Sequence, residues 1–92
     1  MTVRIRFFAR FRELLGAESM AGFKDGTNIA DLVRSVTEKN REGYNAIFDE
    51  SGNFREFVIL MQNGKRVDVS DAGRTGISDG DEIAVFPPVA GG

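Results

Sequence analysis

Glu82-Ile83-Ala84-Val85-Phe86-Pro87-Pro88-Val89-Ala90-Gly91-Gly92 holds a strand, the point at which that strand must stop, and a tail. Ile83 and Val85 share one side of an extended chain, and Glu82, Ala84 and Phe86 share the other. Pro87 and Pro88 have no backbone N–H to give to a ladder, so the strand ends at Phe86. A residue before proline is held extended, and two successive prolines favour a stiff polyproline II rod. Ala90, Gly91 and Gly92 then carry almost no side chain. The stretch beyond Phe86 reaches at most ~20 Å from the body. The expected division is a domain over 1–86 and a tail over 87–92, a thin probe that carries the α-carboxylate. Such a shape suits delivery through a narrow channel to an enzyme that activates the carboxylate. Gly91 and Gly92 let channel walls approach closely, and Gly92 leaves its carbonyl carbon unhindered for an incoming sulfur or amine. Small, frayed ends are common; Pro-Pro, two residues and Gly-Gly directly after an apolar strand is a far more particular pattern.

The other end of the chain alternates as well. From Thr2 to Ala9, Val3, Ile5 and Phe7 fall on one face and Arg4, Arg6 and Phe8 on the other, which predicts a strand with a core face and a cationic face bearing an aromatic. Phe11, Leu14 and Leu15 are at helical spacing within Arg10–Leu15, and Gly16 is a plausible stop. Ser19 to Lys24 reads as a weaker strand closed by the turn Asp25-Gly26. Thr27 or Asn28 can cap the next helix, in which Ile29, Leu32, Val33 and Val36 form a single apolar stripe, and which is expected to fail near Asn40 to Gly43. Gly43 to Phe54 reads as a short helical turn or a small hairpin around the turn cluster Asp49–Asn53.

Arg55 to Gln62 carries the strongest strand signal. Phe57-Val58-Ile59-Leu60-Met61 is apolar on both faces and is expected centrally in a sheet or under a partner. Asn63-Gly64 is a hairpin turn, with Arg66-Val67-Asp68 returning. Asp71 to Gly80 crosses the molecule with Ile77 as its anchor. First and last strands that no short turn can join are expected side by side in the centre. The order strand, strand, helix, strand, strand, crossing, strand predicts an α+β roll of the β-grasp type, a mixed sheet packed on one main helix.

Composition removes several functions. A chain of 92 residues with 41% hydrophobic content is one domain with a real core. It has no cysteine and no histidine, hence no disulfide, no thiol nucleophile and no imidazole base. No nucleophile–base pair can be assembled, so a conventional enzyme is not expected. Asn63-Gly64-Lys65 lacks the rest of a phosphate loop, and Ser78–Glu82 lacks the ligand spacing of a calcium loop. No metal site and no cofactor of the chain's own is expected. The arginines at 4, 6, 10 and 12, interleaved with Phe7, Phe8 and Phe11, suggest an acidic protein partner rather than nucleic acid, because the net charge is −2. No run is long enough to span a membrane and no secretory signal precedes the first strand, so a cytoplasmic location is expected.

Phe7-Phe8-Ala9 followed by Arg12-Glu13-Leu14 and Gly16 resembles the opening of MoaD, the small subunit of molybdopterin synthase. Asp79-Gly80-Asp81-Glu82, an apolar strand and Phe86-Pro87-Pro88-Val89-Ala90-Gly91-Gly92 resemble its close; Thr27, Leu32 and the Asn63-Gly64 turn resemble its middle. Gly-Gly alone would also fit the sulfur carrier ThiS or ubiquitin-like modifiers. The extra length around Tyr44 to Glu56 looks like archaeal MoaD-like proteins, some of which resemble small archaeal modifiers attached to lysines.

The resemblance implies a sulfur carrier for molybdenum cofactor biosynthesis, or a protein modifier of the archaeal type, or both. A MoeB-like or ubiquitin-activating-type enzyme would use ATP to adenylate the Gly92 carboxylate, and a sulfur donor would leave a thiocarboxylate. A MoaE-like large subunit would receive the tail, or target lysines would. Alone, the chain is expected to be a monomer. A module that only binds, with an incidental tail, is the third reading. By alternation Phe8, Ala84 and Phe86 should form the docking face with Arg4 and Arg6 nearby, joined by Phe57, Ile59 and Met61.

Overall fold

The first strand, β1 (Thr2–Phe7), buries Val3, Ile5 and Phe7 and exposes Thr2, Arg4 and Arg6. In this computed structural model, which describes residues 1–88, that strand belongs to a five-stranded sheet. Helix α1 (Ala9–Leu15) follows, buries Phe11, and ends at Gly16, whose φ of 92° is one that glycine adopts freely. Strand β2 (Glu18–Gly22) returns antiparallel beside β1. Helix α2 (Ile29–Thr37) is capped by Asn28, whose side-chain oxygen accepts the Asp31 N–H at 2.8 Å. Then come α3 (Arg41–Ile47), β3 (Ile59–Gln62), β4 (Lys65–Val67), a 3-10 helix (Val69–Arg74) and β5 (Glu82–Phe86).

The strand order is β2-β1-β5-β3-β4. β1 and β5 run parallel in the middle, from Arg4 opposite Glu82 to Phe7 opposite Val85; the other neighbours are antiparallel. Ile29, Leu32 and Val33 of α2 join the strand residues Val3, Ile5, Phe7, Leu60, Ile83 and Val85 in one core. This is the expected β-grasp roll with the first and last strands central. The Asn63-Gly64 turn has positive φ at both residues, 51° and 83°, as a type I′ hairpin requires.

Several element bounds differ from those expected, β2 among them, which covers Glu18–Gly22 rather than Ser19–Lys24. The helix expected to fail near Asn40–Gly43 ends earlier, at Thr37, and a new helix begins at Arg41. Asn40 caps it: its Oδ1 accepts the Gly43 N–H at 2.9 Å, and its Nδ2 donates to the Leu14 carbonyl at 2.7 Å, tying α3 to α1. Gly43 lies inside the helix where Leu15 packs against it; a Cβ there would collide with Leu15 Cδ2 and Cγ. Residues 43–56 thus hold most of a helix and a small turn closed by the bridge between Phe48 and Phe54. Arg34 of α2 pins that turn by two N–H bonds to the Gly52 carbonyl, at 3.1 and 2.9 Å.

The strand expected over Arg55–Gln62 covers only Ile59–Gln62. Phe57 lies in a turn where the Val58 N–H bonds the Arg55 carbonyl at 3.1 Å. The return strand, expected at Arg66–Asp68, is Lys65–Val67. The crossing segment contains the 3-10 helix, with Ala72 fully buried in addition to the expected anchor Ile77.

Candidate functional site: the tail root and the open sheet face

The face of the sheet turned away from α2 is built from the alternate residues of the same strands. Arg6 of β1 stands beside Ala84 of β5, Ala84 beside Met61 of β3, and Met61 beside Arg66 of β4. Nearer the tail, Phe86 stands beside Ile59. Phe8, the residue after β1, lays its ring on that of Phe86 with centroids 4.2 Å apart and planes 8° from parallel. The Arg6 guanidinium sits 5.0 Å from the centre of the Phe8 ring, and its Nη1 is 3.1 Å from Glu82 Oε1. Arg6, Phe8 and Phe86 therefore form a ladder that ends at the residue before Pro87.

Beside the ladder opens a groove of about 980 Å³. Phe8, Phe11, Ile59, Met61 and Phe86 give it an apolar lining, and Pro87 and Pro88 form the wall nearest the tail. α1 contributes Ala9 and Arg10; α3 contributes Glu42, Asn45 and Ala46. An apolar concavity rimmed by a few polar groups is the ordinary form of a recognition site.

Phe8, Ile59, Met61 and Phe86, expected on one face, line the groove together with Pro87 and Pro88 of the expected tail. Phe57, expected on the docking face with Ile59, is 53% exposed but lies in the turn before β3 and does not line the groove. Ala84 lies on the open face and outside the core cluster, yet is only 9% exposed, because the longer Arg6 and Met61 flank it. Arg4 is on the same face beyond the ladder, 3.6 Å from Glu18. Val89, Ala90, Gly91 and Gly92 lie outside the described residues. The α3 wall was missed; its legible signal was Asn40 as a helix cap with Glu42 in the first turn.

At its other end β5 is held by a polar clamp. The Asp81 carboxylate accepts hydrogen bonds from Asn63 Nδ2 at 2.9 Å, the Ser78 N–H at 2.8 Å and Gln62 Nε2 at 3.0 Å. The Asn63 bond, then the Ser78 bond, hold its pKa below the usual aspartate value against an opposing effect of burial, with Gln62 adding less. Among the described residues no cluster of His, Cys, Asp or Glu is placed to hold a metal, and no helix is long and apolar enough to cross a membrane.

Comparison with known proteins gives the chain its family. The chain is 38% identical over 93 residues to small archaeal modifier protein 3 of Haloferax volcanii, with all of both chains covered. It is 34% identical over 96 residues to the molybdopterin synthase sulfur carrier subunit of Aedes aegypti, covering 98% of this chain and 88% of that one. The crystal structure of small archaeal modifier protein 1 from Haloferax volcanii superimposes with a TM-score of 0.87 over all of both chains at 22% identity, a likeness of fold. The profile of the ThiS family matches residues 5–92, and the chain belongs to that family.

Proposed function

We propose that this chain is a sulfur carrier: a partner enzyme activates the Gly92 carboxylate, which becomes a thiocarboxylate whose sulfur is passed on for molybdopterin synthesis. The observation that carries the reading is the placing of the tail root. Phe86, Pro87 and Pro88 leave the central strand at the edge of an open apolar groove, so a protein docked there stands where the tail departs. The family match running to residue 92 supports it, as does the sulfur carrier subunit among the relatives.

The chemistry follows from the carboxylate. One of its oxygens attacks the α-phosphorus of ATP held by the activating enzyme, and pyrophosphate leaves. The resulting acyl adenylate has a good leaving group. Hydrosulfide attacks the carbonyl carbon, AMP departs, and Gly92 becomes a thiocarboxylate. This chain supplies the acid and the docking surface; the catalytic groups and nucleotide site belong to the activating partner of MoeB or ubiquitin-activating type. A large subunit of MoaE type then receives the tail.

A second reading is favoured by the match to a modifier over the full length of both chains. A target lysine amine, in place of hydrosulfide, attacks the Gly92 carbonyl of the acyl adenylate; AMP departs, the nitrogen loses a proton, and an isopeptide bond forms. Both outcomes share the adenylation step and one protein can serve both.

Intact-mass spectrometry of the protein from its own cells, and after incubation with lysate, ATP and sulfide, tests the proposal. The expected result is replacement of one oxygen by sulfur, absent when Gly91 and Gly92 are deleted. Gly-Gly remnants on foreign lysines would establish the modifier role. Neither signal, under conditions where a control carrier reacts, overturns both.

A further inference from the structure

The geometry points to Phe8 as a positioning residue: stacked on Phe86 and fixed from above by Arg6, it aims the tail. The inference rests on the activation of Gly92 proposed above and adds a task for a residue that docking alone would leave as one apolar contact among several.

Three observations carry it. First, the backbone at the tail root is held on both sides. Phe86 pairs with Ile59 of β3, and the Phe8 N–H donates to the Val85 carbonyl at 3.2 Å. Second, the Phe86 side chain is held by its stack on Phe8, and Phe8 lies under a guanidinium that Glu82 restrains. Glu82 and Phe86 are the two ends of β5, so the ladder braces the strand along its outer face. Third, the chain adopts a costly conformation next to Phe8. Ala9 has φ of 53°, in the left-handed region that non-glycine residues avoid. The positive φ falls at the first residue of α1, between Phe8, which stacks on Phe86, and Phe11, which α1 carries into the core. Backbone strain of this kind persists where the surroundings enforce it, and is a pointer to function.

A stiff Pro-Pro step passes on whatever direction Phe86 gives it. Pro87 and Pro88 span ~6 Å as polyproline II, so a tilt of ~15° at Phe86 displaces the far end of Pro88 by roughly 1.6 Å. A misplacement of about 1 Å can cost about a hundredfold in rate where a reacting atom must be placed. A loose root would still dock, because the groove remains, but would present the carboxylate to ATP in the wrong place for most of the time. The ladder thus acts on turnover more than on binding.

The test uses the full chain and the activating enzyme isolated from the protein's own cells, with ATP–pyrophosphate exchange as readout. Phe8→Ala is expected to lower kcat about tenfold with KM changed less than about threefold, and Phe8→Tyr, which keeps the stack, to restore it. The decisive variant inserts two glycines between Phe86 and Pro87, which disconnects the tail from the ladder. In that background Phe8→Ala should have no further effect on kcat. If Phe8 is only a docking contact, its substitution raises KM and the loss persists undiminished after the insertion; that result overturns the inference. Backbone 15N relaxation supplies a measurement that needs no enzyme: the Val85 and Phe86 amides should become more mobile in Phe8→Ala while those of Ile5 and Leu60 do not change. Unaltered Phe86 amides would overturn the ladder even if Gly92 is activated. Loosened amides with no adenylation of the wild-type chain would instead locate the failure in the proposed function.

Discussion

On the helix side of β1, β3 and β5, Val3, Ile5, Phe7, Leu60, Ile83 and Val85 are none of them more than 2% exposed. One residue along each strand, on the other side, stand Arg4, Arg6, Met61, Ala84 and Phe86; there Ala84 is covered by its neighbours' side chains and Phe86 in part by the Phe8 ring, while the rest stay partly or fully exposed. The same backbone bonds serve both faces. The difference is what each side chain meets: the inner set is packed under α2, whereas the outer set is left half-covered beside a groove. The inner face holds the domain together, and the outer face is free to be spent on a partner without endangering the fold.

Adjacent substitutions in β3 can break that contrast. Leu60→Ala, fully buried, should lose ~2–5 kcal/mol of unfolding free energy. Met61→Ala, its neighbour on the open face, should lose less than about 1 kcal/mol. Urea denaturation of the two variants checks both, and equal losses would mean that the open face is a second core. Next in size is Gly43→Ala. The added Cβ collides with Leu15, and overpacking of this kind costs ~1–3 kcal/mol, offset in part by the better helix propensity of alanine. Leu15→Ala in the same chain should recover much of that loss; no recovery would mean that the α1–α3 contact does not position the groove wall.

Ile59→Asp sharpens the contrast from the outer side. Stability should change by less than about 1 kcal/mol, while thiocarboxylate formation in lysate with ATP and sulfide falls by about tenfold or more, since a charge is set into an apolar contact. A fall in the melting temperature matching the fall in yield would assign Ile59 to the fold instead.

The smallest effect is electrostatic and lies at the far end of β5. Asp81 has a folded pKa below its ordinary 3.8, so its stabilising contribution is complete above that value and is lost as the pH falls through the lower folded pKa. Acid unfolding of Asp81→Asn should therefore show a shallower pH dependence below about pH 4 than the parent. An identical profile would show that the clamp around Asn63, Ser78 and Gln62 does not depend on the charge.

Much of the fold is legible in residue order. Val3, Ile5 and Phe7, the Asn63-Gly64 turn and the Pro87 stop each specify local geometry without outside help. The errors come where an element depends on a partner elsewhere. Phe57 and Val58 have ideal strand composition, but Ile59 pairs with Phe86, and past Phe86 the neighbouring chain is Pro87, which has no N–H to offer. The strand is cut short by the tail's own chemistry, which local composition does not reveal. Gly43 looked like the end of a helix because glycine is a poor helix former. The structure uses it as a space in which Leu15 can approach, a requirement set by a residue 28 positions earlier. Of the candidate site, alternation placed Phe8, Ala84 and Phe86 on the outer face. The α3 wall of the groove was hidden with its helix, and the ring stacking followed from no sequence rule.

The parallel pairing of β1 and β5 has a mechanical consequence. A conjugate pulled by its substrate would feel force enter through Pro87 at the end of β5, while a load borne by the N-terminus enters at the start of β1. The two strands are adjacent and parallel, so opposed pulls slide one along the other and strain the whole ladder from Arg4–Glu82 to Phe7–Val85 together rather than unzipping it pair by pair. Hydrogen bonds loaded in parallel share the force. The domain is thus tethered by the strand from which a tug on its tail would be hardest to transmit into unfolding.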